Sequence, residues 1–314
     1  MYKSVLKYGI STVYTDANDK WRQKIEAMKR QMHKTIRILL TFNIYIAAVK
    51  TFRILTLKGI NFQTHYSIMA SRYLDRYLAR SFNTHHRGDC LINHYAFLNM
   101  YISPETLDNI IKNTLPIWEY ATSHDFLSIF LSIPYYTCEG DLCLTFCVSS
   151  IPIYDLSFTI VQRKTIYFTE DCYNDNVIFI TRVQGMYGTY NLIRMVTQHF
   201  EYVSPSEILF IAVQAIAAAL GVKYIAGITS KEQIASGYLE AADKHFNCYD
   251  GLWDKVGGKK VNELAFLLPT IPQCKSPSQV KAKHRQRKRR KREFQNSVYY
   301  SILNSFQQSN CPGL

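Results

Sequence analysis

A chain of 314 residues is long enough for about two average domains, so it can bury a core without disulfides or structural metals. With 47% hydrophobic and 19% charged residues it lies far from the charge-rich, apolar-poor make-up of disordered chains, which excludes that class. The formal charge of +13 is concentrated: Lys281, Lys283, Arg285, Arg287, Lys288, Arg289, Arg290, Lys291 and Arg292 supply nine of the positive charges, leaving +4 for the rest.

Asp16 and Asp19 offer helix-starting carboxylates, and Trp21, Ile25, Met28, Met32, Ile36 and Leu39 recur at steps of three and four, which predicts a helix with one apolar stripe. The first twenty residues contain no continuous apolar run of the kind a cleavable export signal needs. The strongest apolar run, Ile38 to Val49, contains Asn43 and falls short of the roughly 20 residues that cross a bilayer, so it reads as a buried helix. The location expected from these features is cytoplasmic, at most peripheral at the inner membrane. Further helices are expected around Ile68 to Arg80, around Cys90 to Met100, and from Ser103, where Ser103-Pro104-Glu105-Thr106 places a cap before a first-turn proline.

From Phe126 the texture changes to short aromatic and β-branched runs separated by turn residues. LSIFLSI, the turn Glu139-Gly140-Asp141, LCLTFCV, IYDLSFTIV and TIYF predict an antiparallel meander. VIFITRV follows as a strand, then Gln184-Gly185-Met186-Tyr187-Gly188 and a helix to about Phe200. Ser204-Pro205-Ser206-Glu207 starts a second helix that Gly221 ends, and KYIAGIT is the next strand. Strand, helices and strand predict a parallel pair, Val177–Val183 and Lys223–Thr229, adjacent or with a gap between them. VNELAFLL is the expected last strand, and Ser276-Pro277-Ser278-Gln279 caps a long final helix with Phe294, Val298, Ile302 and Phe306 on one face.

The expected fold is α+β. It has a helical amino-terminal third (1–124), a core with a mixed, mostly antiparallel sheet and one parallel β-α-β crossover (125–275), and an appended basic helix (276–314).

The basic half of the last helix is the most specific physical signal. Cations near a helix amino terminus oppose the macrodipole, so helix stability alone would not select them. An acidic protein partner, RNA or anionic inner-leaflet lipid would supply the missing anion, against the plainer reading of a solvated arm. The Gln184–Gly188 turn lies between strand and helix, where backbone amides can cradle a phosphate. It is neither GxGxxG nor a Walker loop, and a tight turn needing two glycines is the plainer reading. Gln184, Gly185, Gly188 and Thr189, with the polar and aromatic Tyr249, Asp250 and Trp253, form the candidate pocket. No general acid or base can be assigned from spacing, and no cofactor is called for.

The group His85, His86, Asp89, Cys90 and His94 has metal-capable atoms but no second well-spaced pair, so no metal is expected. The eight cysteines lack ribbon or staple spacings and are expected as free thiols, with Cys143 and Cys147 packed in the core.

The chain resembles the VirK/YbjX family of bacterial proteins. The residues that carry the resemblance are His94-Tyr95, Val183-Gln184-Gly185, Ser204-Pro205, Leu220-Gly221, Tyr249-Asp250 with Trp253 and Gly257-Gly258, Leu268-Pro269, and the basic helix after Ser278. Where that family usually has a basic residue near the proline and a histidine after the strand, this chain has Glu207 and Thr229-Ser230-Lys231-Glu232-Gln233. The resemblance implies a role in virulence and envelope physiology, including surface localisation of an autotransporter and antimicrobial peptide resistance. The order of strand, glycine turn, helix and strand after a meander also resembles acyl-coenzyme A dependent N-acyltransferases, which implies a fold and not an activity.

Overall fold

The stripe from Trp21 to Leu39 lies in the second half of one long helix, α1 (Tyr2–Leu40). The computed structural model describes residues 2–60, 66–112, 115–123, 125–134, 138–167, 175–235, 248–272 and 285–310. It divides into two compact units, Met1–Ile46 and Ala47–Leu314. The apolar run expected as one buried helix is split at Thr41, whose amide and hydroxyl turn back to the Arg37 carbonyl, and α2 (Phe42–Leu57) follows. Leu39, Leu40 and Phe42 are exposed, and burial begins only at Ala48.

In the second unit, α3 (Tyr66–Ala70) and a 3-10 turn (Arg72–Leu74) replace the single helix expected to Arg80. Ser71 to Leu74 and Tyr77 to Ala79 are all buried, and Leu78 takes a φ of 62°, so packing on every side overrides helical periodicity there. The next two helices match expectation. Asn83 caps α4 (Thr84–Tyr101) by accepting from His86 N–H, and Ser103 caps α5 (Pro104–Ile111) by accepting from Thr106 N–H.

The sheet starts earlier than expected. Leu115–Ala121, assigned from sequence to the helical third, is β1, an edge strand where Pro116 can leave a ladder position empty. It is followed by β2 (Phe126–Ser132), β3 (Leu142–Val148) and β4 (Ile151–Gln162). Thr165 to Tyr167 of TIYF are not strand, and Phe168 lies outside the described residues: β4 runs out of pairing at Gln162–Asn176, and the chain turns into α6 (Arg163–Tyr167). Then come β5 (Asn176–Gly185), α7 (Tyr190–His199), α8 (Pro205–Ala219) and β6 (Tyr224–Ile228). The unit closes with α9 (Cys248–Lys255), β7 (Lys259–Lys260), β8 (Ala265–Leu268) and α10 (Arg285–Asn310). Only the second half of VNELAFLL joins the sheet as β8. Asn262 accepts from the amides of Leu264 and Ala265 and turns the first half.

Among the described residues the strands form one sheet in the order β1-β2-β3-β4-β5-β6-β8-β7. All pairs are antiparallel except β5–β6, which lie adjacent and parallel. The fold is the expected α+β arrangement of helical amino-terminal region, mixed sheet with one parallel pair, and carboxy-terminal helix.

α8 is buried from Pro205 through Ala217, so it carries no polar face, as a helix enclosed on all sides requires. It packs on β3 to β6 and supports α10. α10 buries Val298, Ile302 and Phe306 and stacks Phe294 on Phe200 at 4.2 Å. Trp118 and Phe146 continue this aromatic cluster onto one face of the sheet. The opposite face carries Ser128, Cys143, Thr145, Cys147, Asp155, Ser157, Arg182 and Gln184, because residues paired across strands or two apart along a strand share a face.

Candidate functional site at the β5–β6 fork

The parallel ladder ends at Ile180–Gly227 and β6 ends at Ile228, while β5 continues to Gly185. A fork therefore opens between the two strands at their carboxyl ends, the position where open α/β sheets receive ligands. α9 closes part of it. The Tyr249 hydroxyl accepts from Val183 N–H at 3.1 Å, taking the place of the absent β6 carbonyl. Trp253 is fully buried, donates through Nε1 to the Ile228 carbonyl at 2.7 Å, and lies so close to Gly227 that a Cβ there would meet the ring at 2.5 Å. Asp250 accepts from Ser230 N–H at 2.7 Å. Of the candidate pocket residues, Tyr249 thus reaches the strand beside Gln184, whereas Asp250 and Trp253 fasten α9 to the end of β6.

The turn after β5 is tied to β4: Met186 N–H donates to the Ile153 carbonyl and Thr189 Oγ1 to the Met186 carbonyl at 2.8 Å. Gly188 has φ +78°, a conformation that a side chain would strain, so the glycine is needed for the turn itself. Thr189 makes no side-chain cap on α7. The first-turn amides of that helix are consequently left for solvent or for an anion.

Beside the fork, on the polar sheet face, lies a network whose members are far apart in sequence. Arg182 donates to Asp155 at 3.1 Å and to Gln184 at 3.1 Å, and pairs with Glu139 at 3.4 Å. Thr145 donates to the other Asp155 oxygen at 2.9 Å, and Gln233 donates to Glu139. Burial raises the Glu139 carboxyl above its usual value, with Arg182 and Gln233 opposing the shift. Burial also pushes the Tyr249 phenol up to about 12; the Val183 amide lowers it and Glu139 raises it further. Burial lifts the Cys143 and Cys147 thiols to about 11, so both stay protonated at neutral pH and neither is a ready nucleophile.

Glu139, Asp155, Arg182 and Gln233 were not singled out from the sequence. Two of them did leave a signal: Asp155 and Arg182 are charges inside otherwise apolar strand runs, which a core strand tolerates only when they are paired.

A second polar cluster sits next to it in the core. Asp141 is fully buried and accepts from Arg72 at 2.9 Å, Tyr77, Tyr95 at 3.3 Å and Thr159 at 3.0 Å. Arg72 also donates to the carbonyls of Gly140 and Pro134. The region expected as a histidine group contributes here: His94 is fully buried, and its Nδ1 accepts from Ile160 N–H at 3.1 Å. Burial lowers His94 to about 4; Asp141 opposes this and Arg72 adds to it. Cys90, one turn earlier on α4, is buried, and burial holds its thiol well above the usual value.

The basic run begins outside the described residues at Lys281 and Lys283. From Arg285 it is helical, and several cations meet acceptors on the molecule itself. Lys291 pairs with Glu207 at 3.1 Å, Arg290 with Glu201 at 3.5 Å and Arg289 with Glu293 at 2.8 Å, while Arg287 lies over the Tyr202 ring. Glu207 also completes the capping box with Ser204, so this one acid serves α8 and α10 together. Burial would raise its carboxyl, but the Ser204 amide, Lys291 and Lys255 together hold it below the usual range. Arg285, Arg287, Lys288, Arg289, Arg290 and Arg292 are exposed, and Lys291 is half-buried. Among the described residues no single helix is long and apolar enough to cross a membrane.

Neither a search of curated proteins nor a search of solved structures returns a match. A family model does match, over residues 19–303, which takes in the fork, both polar clusters and most of α10; the chain therefore belongs to the family described as "Protein of unknown function (DUF535)".

Proposed function

We propose that the chain is an acyl-transfer enzyme of the acyl-coenzyme A dependent type, acting on an envelope lipid or protein. The observation that carries this reading is the fork: β5 outruns β6 by several residues and leads through a glycine turn into an uncapped helix, beside a half-buried carboxylate. The phosphates of the donor would meet the first-turn amides of α7. Glu139, raised by burial, is the general base that takes a proton from the acceptor as it attacks the thioester carbonyl. Tyr249 keeps its proton at neutral pH and uses its oxygen lone pair for Val183 N–H, so its O–H is oriented to protonate the leaving thiolate.

A thermal-shift titration with acyl-coenzyme A tests the donor site. Ligand at 100 times its Kd stabilises a fold by about 2.7 kcal/mol, so no rise in melting point at millimolar donor overturns the reading. Glu139→Gln is expected to retain the donor shift and lose turnover by at least about a hundredfold.

A second reading operates at the level of the cell and is supported by the exposed cations of α10. In it the chain is a VirK-type accessory factor that promotes production or correct surface localisation of an outer-membrane virulence protein, an autotransporter, and supports envelope integrity. The exposed cations of α10 are then its contact with an acidic protein partner, RNA or anionic lipid. Replacing Arg287 to Arg292 by Gln is expected to abolish salt-sensitive polyanion binding; unchanged affinity removes that role for the helix.

A further inference from the structure

α1 exposes an apolar stripe that the fork and the sheet do not explain. Trp21 is 66% exposed, Met28 72%, Met32 62% and Leu39 66%, with Ile25 and Ile36 exposed on the same line. Such a row is costly to leave in water, and exposed apolar surface of this extent marks interaction surfaces. Arg22, Lys24 and Lys29 flank it and Arg30, Lys34 and Arg37 lie on the far side, against the single carboxylate Glu26 over residues 21–40. At 100° per residue, Lys24 lies about 80° to one side of the stripe's centre and Lys29 and Arg22 about 60–80° to the other. Those positions let long side chains run along an apolar surface and lift their charges to its edge.

We propose that the Trp21–Leu40 part of α1 is an interfacial helix that lies on an anionic phospholipid membrane, with its stripe among the acyl chains and its flanking cations at the phosphates. Three observations select this occupant. The cations are complementary to anionic head groups. The stripe recurs at an average step of 3.6 residues, so it runs straight along the helix and suits a flat surface; a second copy in a left-handed coiled coil would need 3.5. The helix is basic on its polar side and is not by itself long and apolar enough to cross a membrane, the pattern of a helix that lies in the interface. The proposal stands on α1 alone and is independent of the acyl-transfer reading.

Tryptophan emission gives a direct test on the full chain. Of the three tryptophans, Trp118 and Trp253 are already buried, so a change on binding reports Trp21. Vesicles containing phosphatidylglycerol are expected to shift the emission to the blue and to carry the protein upward in a flotation gradient, whereas phosphatidylcholine vesicles are not. Replacing Arg22, Lys24 and Lys29 by Gln is expected to weaken vesicle affinity on the order of a hundredfold. Met28→Ser with Met32→Ser is expected to abolish flotation, with the melting point unchanged because neither side chain is buried. Absence of both shift and flotation with anionic vesicles overturns the proposal. So does self-association of the parent chain in sedimentation that Met28→Ser with Met32→Ser removes, since a second copy would then be the occupant.

Discussion

Asp141→Asn removes one charge from a site where water cannot replace it. The carboxylate is fully buried and accepts from Arg72, Tyr77, Tyr95 and Thr159, and Arg72 is itself 4% exposed. Asparagine keeps the volume and one acceptor oxygen but leaves the guanidinium as an uncompensated buried cation. Breaking a buried pair in this way costs about 3–5 kcal/mol. For a folded unit of this length a loss of 1 kcal/mol lowers the melting point by about 2 °C, so the drop is roughly 6–10 °C. Urea unfolding followed by tryptophan fluorescence measures the free energy, and a thermal scan measures the shift. A companion variant separates charge from packing. Arg72→Met with Asp141→Leu and Tyr77→Phe removes the cation, the anion and one donor together and fills their space with apolar groups. It is expected to be more stable than Asp141→Asn despite carrying three substitutions, because replacing both members of a buried pair is often close to neutral. An Asp141→Asn protein within about 1 kcal/mol of the parent, or a triple variant less stable than the single one, refutes the view that this cluster is held by mutual compensation of buried charges.

Two further outcomes are expected. His94 is about 4 in the folded chain against 6.5 in the ordinary range, so the folded state binds fewer protons between those values; its stabilising contribution is whole above pH 6.5 and declines as pH falls toward 4, by about 3 kcal/mol in all. His94→Asn keeps an acceptor for the Ile160 amide and is expected to flatten the stability difference across that window, while equal acid sensitivity of parent and variant sinks the assignment. Gly227→Ala places a methyl 2.5 Å from a Trp253 ring that is fully buried and tied to the Ile228 carbonyl, so it is expected to cost about 1–3 kcal/mol in urea unfolding, and a variant as stable as the parent contradicts the close approach.

Local signals and long-range ones divide cleanly in this chain. Ser103, Ser204 and Pro205 mark helix starts because a cap needs only its own next three residues. The meander from Phe126, the parallel pair and the apolar stripe of α10 are legible from periodicity for the same reason. Local rules mislead at Leu115–Ala121, at Tyr77 to Ala79 and at Thr165 to Tyr167, where edge position, all-round burial or the end of a ladder overrides propensity.

What the sequence by itself determined is the α+β class, most element positions, the concentration of positive charge in one helix and the straight stripe of α1. Only the tertiary structure decided the chemistry of the sheet's polar face. Arg72 meets Asp141 across 69 residues and Gln233 meets Glu139 across 94, and no spacing rule links residues that far apart. Those pairs exist because charges forced into a low-dielectric core have to find partners wherever the fold brings them, and that requirement acts on distance in space, not along the chain.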